Sequence, residues 1–278
     1  MMNMTETVKQ LIIINVLFFV GTLALGHFGL DMNPDMNPAY RILALYYPEN
    51  NNFELWQPIT HMFMHGGFMH IAFNMFALYS FGSALEHFWG SKKFLFFYIS
   101  CGLGAALLHT AINYIQIHSL LDSVSSLNLS KSELQLILNA DYKSLFDSNG
   151  QMVAGNIRTI LEKAGCNQEQ FGVLSEATAI SRGTVVGASG AIYGLLTAFA
   201  FMFPNAELAL MFIPVPIKAK YFVPGLLAID LFLGFRGSSL FGSGGTGIAH
   251  FAHIGGAITG FLMMLYWKKN QFDKNRWN

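Results

Sequence analysis

The stretch VVGASGAIYGLL, residues 185–196, opens an almost wholly apolar run and sets Ser189 between Ala188 and Gly190. A serine among such small neighbours is either filler inside a membrane helix or a nucleophile with open space around it. Ser189 and Tyr193 stand four apart and so share one helix face. Gly190 and Gly194 form a G-x-x-x-G pair, the spacing that lets two membrane helices approach closely.

The surroundings favour a membrane. The chain has 278 residues, 53% hydrophobic and 12% charged, where a soluble domain carries roughly 25% charged residues. Six apolar segments approach the length of about 20 residues that a span needs: 11–29, 68–88, 94–117, 184–203, 221–235 and 249–267. The fifth is short, and an apolar stretch broken by Pro214 and Pro216 reads as a tight loop before it. The expected fold is an all-α membrane protein, a six-helix bundle over 8–268, with a polar insertion at 118–183 and a short tail at 269–278. With both termini cytoplasmic, Lys9, Lys92, Lys93, Lys218, Lys220, Lys268, Lys269, Lys274 and Arg276 all fall inside, as the positive-inside rule requires. That orientation suits a multi-pass protein of the plasma or inner membrane, with no cleaved leader. Zero formal net charge gives no basic surface for nucleic acid. Cys101 and Cys166 lie in unlike surroundings, so no disulfide is expected and the redox compartment is not legible.

Two outer segments are more than connectors. Residues 30–60 mix Leu, Tyr and Trp with polar side chains, which suits a loop lying in the interface. In the insertion, Leu134, Ile137 and Leu138, then Ile157, Ile160 and Leu161, repeat at helical spacing. Short surface helices are expected there, with Gly165 as a C-cap.

Polar side chains within spans are costly and mark function. Here they recur near the outer end of three spans that run in the same direction. The second carries His70 and Asn74, four apart; the fourth carries Ser189 and Tyr193; the sixth carries His250 and His253. His253, Gly256 and Gly260 line one face of the sixth span, so glycine-to-glycine packing on the fourth span brings His253 towards Ser189. A serine beside an imidazole base is the minimum for acyl transfer, and the Ser189 amide with the donors of His70 and Asn74 can hold an oxyanion.

These residues resemble the rhomboid intramembrane serine proteases. The family's GxSG reads GASG at 187–190, its HxxxN reads HIAFN at 70–74, and its AHxxGxxxG reads AHIGGAITG at 252–260. The resemblance implies that Ser189 is the nucleophile and His253 the base, a dyad without an acidic third member. His70, Asn74 and the Ser189 amide would form the oxyanion hole, Tyr193 would orient His253, and Gly187 would keep room beside the oxyanion. It implies no metal and no cofactor. The substrates would be membrane proteins with a helix-destabilised transmembrane segment, reached through the lipid bilayer. Where the family's first loop often carries Trp-Arg, this chain has Trp56-Gln57, which questions how that loop is braced. The insertion is expected to cover the site's mouth and affect substrate choice.

Plainer accounts remain for several residues. His70 and Asn74 could simply bond each other across helices, and Tyr193 could be ordinary packing. His61 and His65 stand four apart without a carboxylate, so they read as interfacial rather than as metal ligands. Asp230 is the one intramembrane acid away from the inner edge; it could pair across helices or be wet near the outer end, with a catalytic role as the lesser alternative. His250 could join the hydrogen-bond network but stands outside the catalytic set. Glu86 reads as a cap or anchor at the inner end of the second span. A non-cleaving rhomboid-like binder would be expected to lack the Ser/His pair. A proton-relay transporter would thread its polar groups through the membrane instead of clustering them at one depth. The oligomeric state is not legible.

Overall fold

The computed structural model describes residues 3–26, 36–210, 213–236 and 248–271. His27, Gly247, most of the segment DMNPDMNP and the end of the tail, with Lys274 and Arg276, lie outside the described residues. The chain folds as two compact units.

The first unit comprises Met1–Leu45, Leu55–His109 and Val185–Asn278. Its helices are α1 (Glu6–Leu25), α2 (Pro38–Leu43), the short α3 (Gln57–Thr60), α4 (Phe68–Ala77), α5 (Ser83–Trp89), the first part of α6 (Ser91–Ser123), α10 (Ser189–Met202), α11 (Ala219–Arg236) and α12 (Ile248–Gln271). A wide turn at Leu78–Gly82 joins α4 and α5 into one run, Phe68–Trp89. Among the described residues, Glu6–Leu25, Phe68–Trp89 and Ser91–Ser123 are long and apolar enough to cross a membrane, and α10 is a shorter apolar helix. Leu17, Val20, Phe96, Leu107 and Leu262 turn outward, each more than half exposed. So much outward apolar surface suits lipid and not water. The chain is an integral membrane protein.

Small residues hold this unit together. A Cβ on Gly256 would land on the backbone carbonyl of Gly190, and one on Gly260 would come within 2.8 Å of the Gly194 carbonyl oxygen. A Cβ on Gly255 would stand 2.7 Å from the Gly104 carbonyl oxygen of α6. Glycine therefore sets the spacing of α12 against both α10 and α6. Glu86, on α5, closes the start of α1. Its carboxylate accepts from the Thr7 amide at 3.1 Å and the Val8 amide at 3.0 Å, and bonds the hydroxyls of Thr5 and Ser91. Two orphan amides of the first turn are thus satisfied by an anion at the positive end of the helix.

Three expectations change here. The stretch before α11 is not a tight loop but an antiparallel hairpin of β1 (Glu207–Leu210) and β2 (Ile213–Lys218), registered Glu207 on Lys218. His61 and His65 are buried, not interfacial. And α10 begins at Ser189, not at 184, because the chain just before it is bonded to the backbone of the first loop at Val185 and Gly187. Val185 and Leu45 exchange backbone bonds at 3.0 Å, and the Gly187 amide donates to the His61 carbonyl at 2.9 Å. That first loop is braced by side chains reaching its backbone. Trp56 Nε1 donates to the Ile42 carbonyl at 2.9 Å, and Thr60 Oγ1 to that of Leu43 at 2.8 Å. Buried Gln57 donates to the carbonyls of Arg41 and Ile42 at 3.4 Å, so an amide serves at the position questioned for want of an arginine.

The second unit comprises Tyr46–Glu54 and Thr110–Thr184. Its helices beyond the end of α6 are α7 (Lys131–Leu138), α8 (Asn156–Lys163) and α9 (Gln168–Arg182). Val124, Leu127, Ile137, Leu161 and Leu174 form its core, with Leu134, Ile157 and Ile160 packed against it. Ser130 with Glu133 and Asn167 with Gln170 make reciprocal capping boxes. Gly165 follows α8 with φ +65°, the left-handed conformation glycine accepts most readily.

Candidate active site

The site is assembled where α10, α11 and α12 meet, with α4 beside them. Ser189 is the first residue of α10, so its amide lies outside the intrahelical ladder and at the positive end of the helix. The residue before the GASG alanine, Gly187, has φ +129°, a backbone that L side chains rarely adopt. A Cβ there would stand 2.8 Å from His70 Nε2 and 3.5 Å from Ser189 Oγ. The missing side chain thus leaves a gap bordered by the serine hydroxyl and the His70 ring.

His253 Nε2 lies 2.9 Å from Ser189 Oγ. The rings of Tyr193 and His253 stack 4.2 Å apart at 9°. Both placements follow from the glycine contacts, since His253 stands one turn from Gly256 and Tyr193 one turn from Ser189. His70 accepts the Gly66 amide on Nδ1 at 3.3 Å, which leaves Nε2 as the N–H end of a neutral ring. Asn74 is one turn further along α4 and buried; its Nδ2 bonds no acceptor among the described residues. Ser189, His253, Tyr193, Gly187 and His70 are therefore in direct proximity, and Gly190, Gly256 and Gly260 form the helix contact beneath them.

Within this group stands Asp230 of α11, only 4% exposed. Its Oδ2 is 3.2 Å from His253 Nδ1, its Oδ1 bonds His250 Nδ1, and the Tyr193 hydroxyl also hydrogen-bonds the carboxylate. The resemblance implies a dyad with no acid, yet an acid here contacts the imidazole. The sequence carried one signal for it, an aspartate alone in an apolar span. Which way that carboxylate turned depended on the rotation of α11, which no periodicity reported. Asp230, His250 and His253 offer ligand atoms within 4.8 Å of one another, so they are the described residues that could hold a cation. The same atoms already bond each other, which accounts for the grouping without one.

Comparison with known proteins matches the rhomboid domain to residues 52–118 and 150–270. The chain belongs to the rhomboid family. The match passes over residues 119–149, inside this rhomboid chain's second unit. Over 92 residues the chain is 32% identical to the rhomboid protease GluP of Bacillus subtilis, covering 32% of this chain and 18% of that protein. It is 25% identical over 225 residues to an uncharacterized mitochondrial rhomboid protein of Schizosaccharomyces pombe, covering 77% and 52%. It is 34% identical over 65 residues to a rhomboid-like protease 3 of Toxoplasma gondii, covering 23% and 25%. The chain thus spans about half or less of the length of each of these relatives.

Proposed function

We propose that this chain is an intramembrane serine endopeptidase that cuts transmembrane segments of membrane proteins near the outer leaflet. Ser189 Oγ attacks the scissile carbonyl carbon while its proton passes to His253 Nε2. The carbonyl oxygen becomes an oxyanion facing the Ser189 amide, His70 Nε2 and Asn74 Nδ2. Collapse breaks the C–N bond, and the leaving amine takes the proton from Nε2. Water then hydrolyses the acyl-serine by the same route, restoring the hydroxyl. The reaction as written needs no cofactor or metal. The observation that carries this reading is the 2.9 Å approach of Ser189 Oγ to His253 Nε2 across a glycine-packed helix pair.

The membrane domain on this reading runs over 8–268 with six spans and both termini cytoplasmic, and 118–183 is an outer insertion. Substrates have a transmembrane segment that unwinds readily, because an extended backbone is what a serine nucleophile can reach. The test uses a fluorophosphonate probe and a cleavable transmembrane substrate on the detergent-purified protein. The wild type labels and cuts, while Ser189→Ala does neither and keeps its fold. Equal cleavage by Ser189→Ala would overturn the assignment.

A further inference from the structure

The geometry points to Asp230 as a positioning residue that turns the Ser189–His253 pair into a three-membered relay. This deepens the protease reading and rests on it. The relay runs from Ser189 Oγ to His253 Nε2 at 2.9 Å, and from His253 Nδ1 to Asp230 Oδ2 at 3.2 Å. A carboxylate can only accept, so Nδ1 must carry the proton and Nε2 is left with a lone pair for the serine hydroxyl. The carboxylate also stabilises the imidazolium formed when that proton arrives.

The carboxylate is itself held in place. Asp230 Oδ1 bonds His250 Nδ1, and the Tyr193 hydroxyl provides a third bond while its ring stacks on His253. A nearly buried charge with three donors is fixed against rotation. The ionisable groups facing His253 are thus Tyr193 from α10, Asp230 from α11, His250 from its own helix, and His70, which interacts with it electrostatically from α4. Asp230 is the acid among them, and it faces the ring nitrogen opposite the serine.

A merely structural aspartate would stabilise α11 against α12 and leave the chemistry alone. Replacing it by asparagine separates the two roles. The amide can donate to Nδ1, which favours the tautomer with its proton on Nε2 and removes the base. Asp230→Asn is expected to lose about 10²–10⁴-fold in kcat, with KM changed less than about threefold. Asp230→Glu, which restores a carboxylate, recovers at least about tenfold over the amide variant.

Turnover by folded Asp230→Asn within threefold of wild type would overturn the relay. A variant-free measurement stands beside it, whatever the amide variant's folding. Nitrogen-15 NMR of histidine-labelled wild type is expected to show His253 protonated on Nδ1 and bare on Nε2, and the reverse tautomer overturns the relay. Ser189→Ala is run in parallel: cleavage surviving in that variant overturns the protease reading, while the tautomer still reports on the Asp230 contact.

Discussion

The contact between α10 and α12 and the core of the second unit are both made by packed helices, yet they cohere in opposite ways. In the first, glycines bring backbone onto backbone, and the polar groups are buried and paired. In the second, Ile137, Leu161 and Leu174 fill the interior, and the polar groups sit at helix ends as caps. The solvent accounts for the difference. Lipid gives no hydrophobic gain for joining two helices, so contact comes from close packing and from hydrogen bonds with nowhere else to go. Water rewards apolar burial directly, at about 25 cal/mol per Å². The first unit is therefore where a hydroxyl, imidazoles and a carboxylate can be held rigidly together.

The largest expected effect breaks that contact with one methyl group. Gly256→Ala puts a Cβ onto the Gly190 carbonyl, and backbone cannot step aside as a flexible side chain would. The helices must separate and carry His253 away from Ser189. A displacement of about 1 Å can cost about 100-fold in rate, so fluorophosphonate labelling is expected to fall by at least that factor. Undiminished labelling would show that the glycine contact does not set the site. Leu174→Ala in the second unit is expected to cost about 2–5 kcal/mol, seen as faster hydrogen exchange throughout α7 and α9, while labelling of Ser189 persists. Lost labelling with unaltered exchange would erase the contrast between the two units.

How much of this was legible follows the same division. The glycine and serine spacings predict the α10–α12 contact because helix periodicity and small residues are local signals. The apolar spacings in 134–138 and 157–161 likewise mark the faces that reach the second unit's core. At the site, two features stayed hidden because they depend on partners distant in sequence. One is Asp230, whose role depends on helix rotation. The other is the start of α10 at Ser189, fixed by backbone bonds from Leu45 and His61. Both capping boxes were written in the sequence, as S-x-x-E at 130–133 and N-x-x-Q at 167–170, and mark helix starts that apolar spacing alone passes over.

Buried imidazoles sharpen the comparison through pH. Burial lowers His61 from the ordinary value to about 4. Burial, together with the proximity of the His70 ring, against which a second positive charge would be repelled, lowers His65 to about 3. Both rings are neutral in the fold and would protonate near 6.5 once unfolded. Below that value the unfolded chain binds more protons, so stability is complete above about pH 6.5 and is lost as pH falls towards 4. The loss from His61 alone is on the order of 3 kcal/mol at about 1.4 kcal/mol per pKa unit. Thermal unfolding between pH 7 and 4.5 reads it. His61→Asn, which keeps a side-chain amide near the Gln57 carbonyl but does not titrate, is expected to flatten the slope; an unchanged slope would assign the loss elsewhere.

The smallest expected effect tests the caps. Ser130 Oγ accepts the Glu133 amide at 3.3 Å, and Glu133 Oε2 accepts the Ser130 amide at 2.8 Å. Ser130→Ala removes one of these bonds and leaves water to replace it, because the site is exposed. The cost is about 1 kcal/mol, about fivefold faster exchange if the α7 amides exchange by local opening. Because the α7 cap is exposed, the damage should be graded and confined to the second unit, with Ser189 labelling unchanged. The amides of α10 and α12 should keep their protection. If they were exposed as well, the two units would unfold as one, and the glycine packing of the first would depend on the caps of the second.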